Sequence, residues 1–142
     1  PVELIDGIRK AVAAIAADWP VVLITKGDLF HQEQKIAASG LADLFPRIEI
    51  VSEKDPPTYA RVLAEFGIGA AQFVMVGESL RSDIGPVVRL GGWGVHMLYP
   101  LTWAHEAEHG LAKAHPRVLA VEQAAQLPGA VRRIVEQVRN SA

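Results

Sequence analysis

Five short apolar runs, beginning near residues 21, 48, 72, 93 and 118, are separated by stretches with helical periodicity. This spacing constrains the fold more than any other feature of the chain. Strands alternating with helices make right-handed βαβ units, so the sheet should be mostly parallel and covered by helices on both faces. The expected fold class is therefore α/β, a three-layer Rossmann-like core.

The punctuation between the runs supports this reading. Leu4, Ile8, Val12 and Ile15 recur at helical spacing, Glu3 and Asp6 sit in the first turn, and Pro20 ends the pattern. Val21–Ile24 reads as a buried strand leading into Thr25, Lys26, Gly27 and Asp28. A second helix over 30–39 stops at Gly40, and a second strand over 48–51 runs into Ser52, Glu53, Lys54 and Asp55. Pro56 and Pro57 open a third helix, because its first amides have no intrahelical acceptor. Tyr59, Val62, Leu63 and Phe66 form its apolar face, and Gly67 caps it. After the third strand, 73–76, come Gly77, Glu78, Ser79 and Asp83, with the next helix predicted to start near Ser82 or Asp83 so that Pro86 falls in its first turn. A fourth strand spans 93–98, a helix or structured loop 102–113, an edge strand 118–121, and Val131, Ile134, Val135 and Val138 mark a last helix whose polar face carries Arg132, Arg133 and Arg139.

At 142 residues the chain is one domain by length, with half its residues hydrophobic and a net charge of −2. No basic stripe points to nucleic acid. Leu90–Ala104, the longest uncharged run, is too short and too polar to span a membrane. The absence of cysteine excludes disulfides, thiol catalysis and thiolate-bound zinc, and is compatible with a cytoplasmic location. Nothing in the composition fixes the oligomeric state, and a homo-oligomer is compatible with it.

In a parallel sheet the loops after successive strands gather on one rim, where ligands bind. Here those loops bring Thr25-Lys26-Gly27-Asp28, Lys54-Asp55, and Glu78-Ser79 with Asp83. A hydroxyl beside a glycine turn can hold phosphate oxygens, an ammonium can neutralise them, and two carboxylates can hold Mg²⁺. Each part has a plainer reading as well: Thr25 as a turn cap, Lys54 as a solvated lysine, the acids as helix-dipole partners. Their order and their placement at strand ends point to phosphoryl transfer.

The run LITKGD at 23–28, the loop VSEKDP at 51–56 and VGESLRSDI at 76–84 resemble, in this order, the second, third and fourth motifs of the haloacid dehalogenase-like (HAD) hydrolases. The likeness extends over nearly the whole chain, including Gly-Gly-Trp-Gly at 91–94. It implies a Mg²⁺-dependent phosphatase of a small phosphorylated metabolite, working through an aspartyl-phosphate. By this resemblance Thr25 and the amides of Lys26 and Gly27 hold the phosphate, Lys54 is the electrostatic clamp, and Glu78 and Asp83 are metal ligands. Glu78 stands where Asp or Asn is usual, which makes Asp83 the firmer ligand.

The family's first motif, a strand ending in Asp-x-Asp, is absent: the six aspartates are Asp6, Asp18, Asp28, Asp43, Asp55 and Asp83. That strand lies in the family between those corresponding to 21–25 and 73–76, and without it both neighbours keep unpaired backbone groups. The expectation is a single core domain over 1–142 that forms the C-terminal part of a longer parent, with the nucleophile strand and a helical cap ahead of Pro1. Direct pairing of 21–25 with 73–76 would contradict it. A non-catalytic HAD-like binding domain is the alternative.

His105-Glu106-x-x-His109 also matches the zinc-metallohydrolase pattern, with His115 in the place of a third ligand. The glycine of the longer signature is replaced by Ala112 and no methionine turn follows, so a solvated helix is the favoured reading. Trp93, Tyr99 and Trp103 are assigned to packing rather than to a ligand pocket.

Overall fold

The computed structural model describes residues 7–40, 42–98 and 115–141. They form two compact units, 1–53 and 54–142. The predicted strands are present and every pairing is parallel.

In the first unit, helix α1 (Ile8–Ala16) precedes strand β1 (Val22–Lys26), helix α2 (Leu29–Ser39) and strand β2 (Arg47–Val51). β1 and β2 pair in register from Val22↔Arg47 to Lys26↔Val51. Ala11, Ile24 and Val51 are buried. Asp28 caps α2 by accepting the His31 amide at 3.2 Å, and Gly40 ends it in the left-handed conformation.

The second unit opens with helix α3 (Pro56–Phe66), where Asp55 accepts the Thr58 amide at 3.0 Å and the two prolines occupy the first turn. Hydrogen bonds from the Thr58 side chain and then from its backbone amide hold the Asp55 carboxyl below its ordinary value. Tyr59, Val62 and Leu63 are the buried face of α3. Strands β3 (Val74–Gly77), β4 (Trp93–Met97) and β5 (Val118–Val121) form a sheet in the order β3-β4-β5. Helix α4 (Gly85–Arg89) lies between β3 and β4, and helix α5 (Leu127–Asn140) follows β5. Leu127, Ala130, Val131 and Ile134 of α5 are buried at the 3.6-residue period. With Ile84, Val87 and Val95 they make the centre of this unit's core.

One boundary differs from the sequence expectation. The helix after β3 starts at Leu80, ahead of Ser82, because residues 80–84 form a π-helical turn that runs straight into α4. The Ile84 amide reaches back five residues to the Ser79 carbonyl at 3.1 Å, and the Gly85 amide does the same to Leu80. Pro86 has no N–H to return to the preceding turn. The Ser82 carbonyl, four residues before it, instead accepts the Tyr59 hydroxyl at 2.9 Å.

Two glycines make room for this turn. A Cβ on Gly94 would lie 2.6 Å from Ile84 Cγ2, and one on Gly77 would lie 2.5 Å from Asp83 Oδ2. The helical segment is therefore seated on bare backbone of β3 and β4.

Among the described residues β1 and β3 do not pair with each other: β1 pairs with β2, and β3 with β4. Among the described residues each keeps one edge without a strand partner. No described helix is long and apolar enough to cross a membrane. Leu4, Glu3, Asp6, Tyr99, Trp103 and the His105-Glu106-x-x-His109 segment lie outside the described residues. Trp93 donates its indole N–H to the Ala71 carbonyl at 3.1 Å.

Candidate active site at the strand ends

Within the first unit the candidate residues lie in the turn after β1. The Thr25 hydroxyl donates to Gln32 Oε1 at 3.0 Å, which ties the strand end to α2. Gly27 has φ +145°, open to glycine and strained for other residues, and a Cβ there would strike Gln32 Nε2 at 2.5 Å. The Gly27 amide donates to the Val51 carbonyl at 3.1 Å, extending the β1–β2 ladder by one bond. Lys26 is exposed, its ammonium 3.4 Å from Glu53 Oε2. Within this unit Thr25 is held in place, and the Gly27 amide is committed to Val51 rather than presented to a ligand.

A charged pair lies wholly within the second unit. Lys54 Nζ lies 2.6 Å from Asp83 Oδ1. Asp83 is 6% exposed overall, and its other oxygen accepts the Ser79 amide at 3.3 Å. Its burial follows from the local sequence: Gly77 gives up the side-chain space into which the carboxylate folds, and the π turn rotates residue 83 back over the end of β3. Ser79 caps that turn by accepting the Ser82 amide at 3.1 Å. Glu78, by contrast, is exposed, and its backbone carbonyl faces His96 Nε2 at 3.0 Å. The two acids thus differ in burial.

Tyr59 lies beneath the turn. Burial chiefly, then the charges of Asp83 and Asp55, push its phenol well above the ordinary tyrosine value. The hydroxyl is therefore a fixed donor at neutral pH, matching its bond to Ser82.

The structure brings Lys54 and Asp83 together from positions 29 residues apart. Sequence reasoning missed His96. It sits inside the apolar run of β4, where four of the five residues are buried; the only signal available was a lone polar residue within that run.

A Mg²⁺ ion takes hard oxygen ligands, commonly one or two carboxylates completed by water and substrate oxygens. Asp83 and Glu78 suit that kind of site. Among the described residues no group of three or more His, Cys, Asp or Glu could hold a metal by protein ligands alone.

No family model matches the chain, and no curated protein matches it. Solved structures do. A haloacid dehalogenase-like family hydrolase from Xanthomonas campestris is 56% identical over 100% of this chain, with a TM-score of 0.89. The chain belongs to the haloacid dehalogenase-like superfamily. It spans 55% of the length of the Xanthomonas protein. A HAD-family protein from Bacillus subtilis, bound to magnesium, has a TM-score of 0.71 at 17% identity, covering 91% of this chain and 56% of its own. A HAD phosphatase from Thermococcus onnurineus has a TM-score of 0.67 at 16% identity, covering 86% and 55%. These two likenesses show the fold alone. The HAD fold also accounts for the parallel sheet and helical layers described above.

Proposed function

We propose that this HAD chain is the supporting half of a Mg²⁺-dependent phosphatase that acts on a small phosphorylated metabolite. The observation that carries the reading is the Lys54–Asp83 pair, which places an ammonium and a buried carboxylate side by side at the end of β3. Membership of a hydrolase superfamily supports it, as do a magnesium-bound protein and a phosphatase of the same fold.

In this reading the Thr25 hydroxyl and the Lys26 and Gly27 amides bind phosphate oxygens. The Gly27 amide would have to exchange its bond to Val51 for the ligand. Lys54 neutralises charge on the transferring group, and Asp83 with Glu78 holds the metal. Bound Mg²⁺ would stabilise negative charge on the phosphoryl oxygens. The attacking carboxylate in this reading is an aspartate that these 142 residues do not include. Its carboxylate oxygen bonds to phosphorus as the substrate's ester P–O bond breaks and the alcohol leaves, and water then cleaves the phosphoenzyme to release phosphate and restore the aspartate.

A second reading, a binding domain without catalysis, has one observation in its favour. Lys54 already occupies Asp83 Oδ1, so the carboxylate is neutralised by the chain itself. One experiment separates the two: hydrolysis of p-nitrophenyl phosphate by a protein that carries this chain together with the nucleophile aspartate, with Mg²⁺ present or chelated. Turnover that disappears on chelation and in Asp83→Asn supports the phosphatase. A chain that binds phosphate but shows no turnover under either condition refutes it and leaves the binding domain.

A further inference from the structure

Among the described residues the buried polar or charged side chains are Asp83 and His96, 6% and 3% exposed. They come from different elements, the π turn and β4, yet they meet the same peptide group. His96 Nε2 lies 3.0 Å from the Glu78 carbonyl oxygen, and Asp83 Oδ2 accepts the Ser79 amide at 3.3 Å. That carbonyl and that amide are the two ends of one planar unit. Turning the unit over would break both contacts and leave their partners unpaired inside the core.

The register explains how a strand residue reaches this loop. His96 pairs with Gly77, so its side chain stands on the face where the π turn lies. Gly94, two residues earlier on that face, is the one pressed by Ile84. The imidazole thus follows directly after the seat of the turn. A carbonyl oxygen can only accept, so Nε2 carries a proton, and both the neutral Nε2–H tautomer and the imidazolium meet that need. The contact requires a donor at this point and no particular charge.

We propose that His96 is a positioning residue for the cation site. By fixing the Glu78–Ser79 peptide it sets the direction in which Glu78 leaves β3 and the amide against which Asp83 is oriented. The inference rests on the Mg²⁺-phosphatase reading and extends it to β4, which that reading leaves idle.

The test compares the protein that carries this chain together with the nucleophile aspartate, as wild type, His96→Leu and His96→Gln, by Mg²⁺ calorimetry, Mg²⁺-dependent hydrolysis of p-nitrophenyl phosphate and thermal unfolding. Loss of an outer partner of a metal ligand commonly weakens metal binding at least tenfold, so His96→Leu should raise the Mg²⁺ Kd by about tenfold while kcat at saturating Mg²⁺ changes far less. His96→Gln, whose amide N–H can reach the same carbonyl, should stay within about threefold of wild type. A His96→Leu protein with wild-type Mg²⁺ affinity and only a lower Tm overturns the proposal, as does a Gln variant as weak as the Leu one. If the Leu variant does not fold, His96→Asn replaces it: its amide stops one bond short, so it should bind Mg²⁺ more weakly than Gln, and equal affinity overturns the proposal. A wild type that neither binds Mg²⁺ nor hydrolyses the ester removes the phosphatase reading, and this proposal with it, before any variant is made.

Discussion

The Lys54–Asp83 pair lends itself to a thermodynamic cycle. The charged atoms are 2.6 Å apart and the side chains are 18% and 9% exposed. At an effective dielectric of about 20, unit charges at that separation attract by about 6 kcal/mol. Withdrawing each ion from water costs several kcal/mol, so the pair is close to balance against its own desolvation. Removing one partner is not balanced. Lys54→Met leaves the buried carboxylate without its ammonium partner and should cost about 3–5 kcal/mol. Asp83→Asn leaves an ammonium on a flexible stem in the more exposed of the two positions, where it can turn to water, and should cost about 1–3 kcal/mol. In the double variant neither charge remains, so its loss should fall below the sum of the singles by about 2 kcal/mol. Urea unfolding of the four proteins in chelator, extrapolated linearly to water, measures this coupling. A coupling below about 0.5 kcal/mol would mean that the two groups are independent, and the reasoning from burial would be wrong.

Tyr59→Phe removes the donor to the Ser82 carbonyl and should destabilise the protein by about 1–3 kcal/mol in the same assay. Because the folded phenol has a raised pKa, its contribution is fully present below the unfolded value of about 10 and is lost as pH rises through the folded value. Between pH 9 and 11 wild type should therefore lose more stability than Tyr59→Phe; parallel curves would contradict the assignment. Gly77→Ala puts a methyl where the Asp83 carboxylate lies, so it should cost about 1–3 kcal/mol and weaken Mg²⁺ binding as well, and a neutral outcome in calorimetry would show that the turn can move aside.

Much of the fold can be read from the chain because the signals are local. The β5 span of 118–121 and the π-turn-free helix α3, with its prolines and Gly67, lie where the residues indicate. The start at Leu80 could not be read, since a π turn depends on which carbonyl an amide finds in three dimensions, and helical periodicity treats Pro86 as an ordinary first-turn proline. At the site, the sequence pointed to Lys54 and Asp83 through their positions after consecutive strands, and the structure pairs them. It could not show that Asp83 is buried and Glu78 exposed, because that difference arises from the empty space at Gly77. His96 was illegible for a related reason: a polar residue in an apolar strand acquires meaning only from the partner it meets.

The seating of the π turn on Gly77 and Gly94 has a consequence for anyone redesigning this protein. Both positions are closed to side chains, since a methyl at either would collide with Asp83 or Ile84. Variation aimed at new ligands therefore belongs at Glu78 and Arg81, which are exposed on the rim of the same turn. A library built this way keeps the scaffold fixed and lets chemistry drift only where solvent already reaches.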